Sequence, residues 1–443
     1  MATRDLILSV DFGTSTLKAS VLDRQLRTLA SGKEEYPYIL LPGEKVEMSP
    51  ASLADALRTA CGRMDAALRA RVGLFCYDSF SPSLMLMDAD GKALHNVVTH
   101  MDRRSREQSN LICEVMGKER YQSITGVYPF TGGISLTTLL WFMKEMPELV
   151  ERTEKIGHLP TYFQKMFTGE WAVDLVNASM MGLYDTVRQS GWSEEIIRRF
   201  TIPERWLSPI RIPGEWTGNL VPEMAEMMGV PAGIPVAMGT NDVVAAHAGA
   251  GNDRAGQILN TAGSSDMVSI LTDAPKLNPN YYVRNAGVPG LWQIYATTSG
   301  GFAVDWFYKE FCREMDKKEF YETYLPSCLR GRKPGAIAFD PYLAEDRQSL
   351  ERRTGAWHGL TLVATRDEML FALMHSMQKV LADTVALAGR ITPLDGVMKI
   401  SGGFASEAVL ELKRAMFAGL EFEMRDDCSI LGNAALALKY EPK

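Results

Sequence analysis

The sequence predicts an α/β architecture of two domains, and three observations carry that expectation. Short apolar strands alternate along the chain with stretches of helical spacing. The 443 residues exceed what one hydrophobic core usually supports. Two segments about half a chain apart also look like copies of one device. The first runs Leu6-Ile7-Leu8-Ser9-Val10, then Asp11-Phe12-Gly13-Thr14-Ser15-Thr16, then an apolar stretch over 17–22. The second runs Gln257-Ile258-Leu259-Asn260-Thr261, then Ala262-Gly263-Ser264-Ser265-Asp266, then 267–271. Each reads as a β-hairpin with a hydroxyl-rich tip.

The elements follow in order. After the first hairpin, 51–68 has helical spacing, and 72–77 and 84–87 read as strands. Asp88-Ala89-Asp90-Gly91-Lys92 is a turn. Helices are expected over 105–116 and 136–146, the second ended by Pro147. A polar, Pro-rich stretch covers 201–218. A buried strand is then expected over 231–238 and a small-residue helix over 243–250. Gly249-Ala250-Gly251 is the candidate hinge, so the domains are placed at 1–250 and 251–443. The second half ends with a strand over 398–401, the pair Gly402-Gly403, and helices over 407–418 and 431–439.

Composition narrows the function. A net charge of -7 argues against nucleic acid and anionic membrane surfaces as partners. Six scattered cysteines, without metal-ligand spacing, read as reduced thiols. No leader and no apolar run of eighteen residues is visible, so a cytoplasmic, soluble protein is expected. No G-x-x-x-x-G-K-[ST], no G-x-G-x-x-G after a strand, no H-E-x-x-H and no G-x-S-x-G occurs.

What remains is a phosphate and acid/base constellation. A glycine at a tip admits a ligand to the backbone, and neighbouring N–H and hydroxyl groups can cradle an anion. Two such tips could grip a polyphosphate from both sides. Asp11 ends a buried strand, where its carboxylate can hold a hydrated Mg²⁺; it could equally cap the turn. Thr14 and Ser15 offer donors, and Lys18 offers charge. Asp242 lies where a strand ends and a helix starts, so it is either an N-cap, a task Asn241 could also do, or a base that accepts a hydroxyl proton. Gly402-Gly403 permits close approach of a ring or phosphate, or simple close packing.

These pieces, in this order, resemble the FGGY carbohydrate kinases of the sugar kinase, actin and heat-shock ATPase fold group. Val10 to Lys18 looks like the family's first phosphate motif, Gly239-Thr240-Asn241-Asp242 like the segment holding its catalytic aspartate, and 260–265 like its second phosphate motif. Ser401-Gly402-Gly403-Phe404-Ala405 and Leu431-Gly432-Asn433-Ala434-Ala435 look like its adenosine region. Blocks at 168–170, 177–179, Pro341-Tyr342-Leu343-Ala344-Glu345 and 355–360 agree, so the likeness spans almost the whole chain. The resemblance implies two related ribonuclease H-like (actin-like ATPase) domains with an interdomain cleft, the first for sugar and the second for nucleotide. It implies ATP-dependent phosphorylation of a ketose such as xylulose, a polyol or a sugar acid, and a homodimer by family habit. Asp242 would be the general base and Asp11 would help hold Mg²⁺ together with Asp242. Gly13, Thr14, Ser15, Lys18, Gly263, Ser264, Ser265, Gly301, Gly402 and Gly403 would meet ATP. Ser81, Asp102, Arg103, Asn241 and Asp242 would meet the sugar.

The chain also departs from the family. Thr138 stands where a lysine is usual, and His375 where an acid is usual. The stretch Asp78-Ser79-Phe80-Ser81-Pro82-Ser83 has neither the Arg-Glu pair of glycerol kinases nor the Met-His pair of xylulose kinases. Asp102 and Arg103 could bind sugar hydroxyls or form a surface ion pair. The departures motivate an alternative: a nucleotide-binding sensor or interaction protein of the same fold that is no kinase.

Overall fold

The structure, a computed structural model, describes residues 4–343 and 349–441, so Ala344 and Glu345 of the motif at 341–345 lie outside the described residues. It divides into two compact units: Met1–Asp253 with Val283–Trp292 and Asp427–Lys443, and Arg254–Tyr282 with Gln293–Asp426. The segments expected at 1–250 and 251–443 therefore differ from the units by two stretches of the second half that pack into the first unit.

In the first unit the hairpin Leu6–Phe12 and Thr16–Leu22 is antiparallel, and Thr28–Glu35 extends it. Val72–Ser79 lies parallel to Leu6–Phe12 on the other side. Pro235–Ala237 and Thr240–Asn241 in turn lie parallel to Val72–Ser79. Strand alternation explains the unbroken apolar run at the N-terminus. Leu6, Leu8, Val10 and Phe12 face the core that includes Phe75, Tyr77, Phe163 and Phe167. Ile7 faces the opposite way, with Leu74 and Cys76, onto Ile430, Ala434 and Ala437 of the helix Cys428–Lys439. That burial is why the chain's last helix belongs to the first unit.

The second unit repeats the plan. Ile258–Ala262 and Asp266–Thr272 form the antiparallel hairpin, and Val397–Ser401 lies parallel to the first of these strands, followed by Glu421–Met424. The helix Arg366–Ala388, opened by a Thr365/Glu368 capping box, shares a core with Glu407–Met416.

Several expected elements shift for local reasons. The helix expected over 51–68 breaks into Pro50–Gly62 and Ala66–Arg69, because Asp65 caps the second through Ala67 N–H at 2.6 Å. Pro147 ends one helix and opens another, Pro147–Glu151, from its first position. The strand expected over 231–238 shrinks to Pro235–Ala237 behind Gly233, whose φ is 72°. The stretch 201–218 holds short elements at Glu204–Trp206 and Ile210–Arg211. Gly249, in the segment expected as a hinge, is closely packed. It ends the helix Asp242–Gly249 where a Cβ would collide with the Cys428 carbonyl, and Gly432 is held the same way against the Ala245 carbonyl.

Candidate functional site

Parallel neighbours end at the same sheet edge, the edge where ligands bind in such folds. Asp11 and Asp78 are register partners, each one residue from the end of its strand. Thr240 pairs with Asp78 and Asn241 with Ser79, so Asp242 leaves the third strand end beside them. Topology alone thus gathers three carboxyl groups. Asp78 was within the quoted motif but had no expected role; a carboxylate closing an apolar strand, as Asp11 does, was the available signal.

Their electrostatics follow from burial and proximity. Burial raises Asp11, against a hydrogen bond with Asp78 and the charge of Lys18. Burial, the Asp11 charge and that shared hydrogen bond hold Asp78 well above the usual carboxylate range. Its Oδ2 accepts from Asn433 Nδ2 at 2.5 Å. Asp242 is pushed up to about 7, first by burial and then by Asp11. Its Oδ1 accepts from Val243 N–H at 2.9 Å and Asn241 Nδ2 at 2.8 Å. Asn241 is the N-cap, accepting from Val243 N–H at 3.1 Å. Asn241 Nδ2 thus holds Asp242 while its Oδ1 caps the helix.

The first tip closes through Gly13 N–H to Thr16 O at 3.2 Å, and the Tyr36 hydroxyl donates to Gly13 O. Lys18, the register partner of Asp11, pairs with Asp427. Asp11 Oδ1 is buried and has no hydrogen-bond partner among the described residues. An all-oxygen site with an orphaned carboxylate oxygen suits Mg²⁺, which takes one or two carboxylates and otherwise water. Among the described residues no group of three or more Asp, Glu, His or Cys side chains has the geometry of a metal cage.

Other expected contacts have structural partners. Asp102 is buried and bound by Arg104 at 2.8 Å and by Val46 N–H at 2.7 Å, which corrects the surface ion pair with Arg103. Arg104 also bridges to Glu47 at 2.6 Å and lies 5.0 Å over the Trp141 ring. Arg103 donates to the carbonyls of His100 and Asp102, both at 2.9 Å. Ser81 donates to Asn177 Oδ1 at 2.6 Å, and Asn177 Nδ2 donates to Asp174, whose other oxygen accepts from Thr240. Burial outweighs these donors and raises Asp174 to about 6. This network, invisible in the sequence, joins the Ser81 turn to the strand that presents Asp242.

In the second unit Gly263, Ser264 and Ser265 form the tip between Ile258–Ala262 and Asp266–Thr272. Gly301 N–H donates to Gly263 O at 3.0 Å and Phe302 N–H to Ser264 O at 2.9 Å, so the helix Gly300–Phe311 starts against the tip. Gly402, with φ 111°, lies where a Cβ would strike the Ala262 carbonyl, whereas Gly403 has open space. Gly301, Gly402 and Gly403 are thus brought to the second tip. Asn433 belongs to the first unit.

Three strand-end carboxyls and a duplicated hairpin sit on the sheets of an actin-like ATPase fold. Solved structures of that fold superpose on the chain. Gluconate kinase from Lactobacillus acidophilus gives a TM-score of 0.87 at 20% identity, covering 98% of this chain and 89% of its own. Xylulose kinase from the same organism gives 0.86 at 19% identity, with the same coverage. The profile of the FGGY family of carbohydrate kinases, N-terminal domain, matches residues 6–249, and the chain belongs to that family. A gluconokinase of Bacillus licheniformis is 25% identical over 422 residues, 91% of this chain and 81% of the relative. A glycerol kinase of Thermococcus kodakarensis is 29% identical over 279 residues, 60% of this chain and 54% of the relative. The protein is an ATP-dependent kinase acting on a sugar hydroxyl, and nothing supports the non-kinase alternative. No helix among the described residues is long and apolar enough to cross a membrane.

Proposed function

We propose that the chain phosphorylates an open-chain sugar acid of the gluconate type, with Asp242 as general base. The observation that carries the base assignment is the Asp242 carboxyl, fixed by Val243 N–H and Asn241 and raised to about 7. A base poised there accepts the hydroxyl proton as the sugar oxygen attacks the γ-phosphorus, and it is charged for about half the molecules at neutral pH. Asp11 would hold Mg²⁺, supported by its orphaned oxygen, and the cation would supply charge neutralisation on the phosphates. Gly13, Thr14 and Ser15 would meet phosphate in the first unit, and Gly263, Ser264, Ser265 and Gly301 in the second. Ser81, Arg103 and Asp242 are the proposed sugar contacts; Arg103 would meet the carboxylate of the acid. Asp102 and Asn241 act behind them.

The acid is favoured by two gluconokinases, of Bacillus licheniformis and Bacillus subtilis, each matching 91% of the chain. A cytoplasmic homodimer is the proposed working form; six free cysteines support a reducing compartment, and sedimentation tests the dimer. An ADP-release screen of gluconate, xylulose, tetritols and glycerol decides the substrate. Gluconate should give the highest kcat/KM. A preference for an uncharged polyol would overturn the acid, and no stimulation by any of them would overturn the substrate class.

A further inference from the structure

Asp266 follows directly on the second tip and turns beneath it. Three side-chain donors converge on its carboxylate: Asn260 Nδ2 at 2.6 Å, Gln378 Nε2 at 2.8 Å and Lys413 Nζ at 2.8 Å. Lys413 also donates to Gln378 Oε1 at 2.7 Å. Asp266, Gln378 and Lys413 are each 0% exposed. Lys413 sits on the helix Glu407–Met416, among Val409 and Leu412, where an apolar residue would ordinarily pack.

Burying two charges costs several kcal/mol each, and an apolar pair would join the same helices at lower cost. What an ion pair adds is direction, because each donor fixes an angle as well as a distance. The backbone that Asp266 fixes belongs to the tip itself. Thr298 Oγ1 donates to Asp266 O at 3.3 Å, and a Cβ on Gly300 would collide with Asp266 N. The tip is thus held from below by Asn260, Gln378 and Lys413, and from the side by the start of the helix Gly300–Phe311.

We propose that Asp266 and Lys413, with Gln378, are positioning residues for the nucleotide phosphates: they lock the backbone of Gly263, Ser264 and Ser265 in its phosphate-receiving shape. The inference rests on reading that tip as a nucleotide site. The test measures Mg·ADP affinity by calorimetry on the full chain, beside KM for ATP and for the sugar. Lys413→Met alone strands a buried carboxylate and can fail to fold, so the main variant is Asp266→Asn with Lys413→Met. It should melt within a few degrees of the parent, bind Mg·ADP about tenfold more weakly and raise KM for ATP similarly, with KM for the sugar within about twofold. Gln378→Leu keeps both charges and reports even where the double variant does not fold; a smaller loss, about threefold, is expected. Mg·ADP affinity within twofold of the parent in a folded variant would overturn the positioning role. A parent that does not bind Mg·ADP would overturn the nucleotide reading beneath it, whatever the sugar screen finds.

Discussion

Replacing Asp242 with Asn separates the base from the scaffold. The amide oxygen can keep the bonds from Val243 N–H and Asn241 Nδ2, so the start of the helix Asp242–Gly249 should survive. Loss of the base should cut kcat by about 10² to 10⁴. The parent's kcat/KM for the sugar should rise about tenfold from pH 6 to pH 8, because the free base titrates near 7. The same shift has a stability consequence of defined sign. The folded-state value, raised from 3.8 to about 7, means the native protein binds this proton more tightly than the unfolded chain. Stability is therefore lost as pH rises from about 4 through 7, by up to about 4 kcal/mol. The amide of the Asp242→Asn variant cannot ionise and lacks that loss. The variant should melt several degrees above the parent at pH 8, with the gap closing towards pH 4. Steady-state kinetics and a pH series of thermal melts check both arms. Turnover within about tenfold of the parent would refute the base, and a gap independent of pH would refute the electrostatic account.

Two further predictions follow from the same geometry. Burial and Asp11 push the Asp78 carboxyl towards its protonated form, which Asp78→Asn mimics; that variant should leave kcat within about threefold and the melting temperature nearly unchanged between pH 6 and 8. Asp78→Ala removes the acceptor for Asn433 Nδ2 and should cost about 1–3 kcal/mol in denaturant unfolding; equal costs for both variants would count against the neutral state. Gly432→Ala drives a methyl into the Ala245 carbonyl of a packed helix and should lower stability by about 1–3 kcal/mol, read from the urea midpoint.

Much of the candidate site was legible because it is local. A hairpin is written within about fifteen residues by apolar alternation and turn chemistry, so both tips, with Asp11 and Lys18, were found in place. Asp242 was legible as the residue between a strand and a helix, and Asn241 proved to be the cap that the same motif allowed. What the sequence left open is which groups pair and pack. Asp102 lies beside Arg103 in sequence, yet it binds Arg104, since the chain turn aims that guanidinium at both Asp102 and Glu47. Gly249 was placed in the candidate hinge because the second hairpin begins just after it. Its close packing beside Gly432 is a constraint that no local pattern announces.

The sequence by itself determined the α/β class, the two hairpins, the family, and the identity of the proposed base and cation carboxylate, because each depends on neighbours along the chain. The tertiary structure decided which distant groups modify them. Parallel register brought Asp78 to Asp11, burial of a small-residue face returned the last helix and Asn433 to the first unit, and helix packing put Lys413 under Asp266. Ionisation follows from those encounters, since a carboxyl's charge is set by the dielectric and the charges around it rather than by its place in the chain.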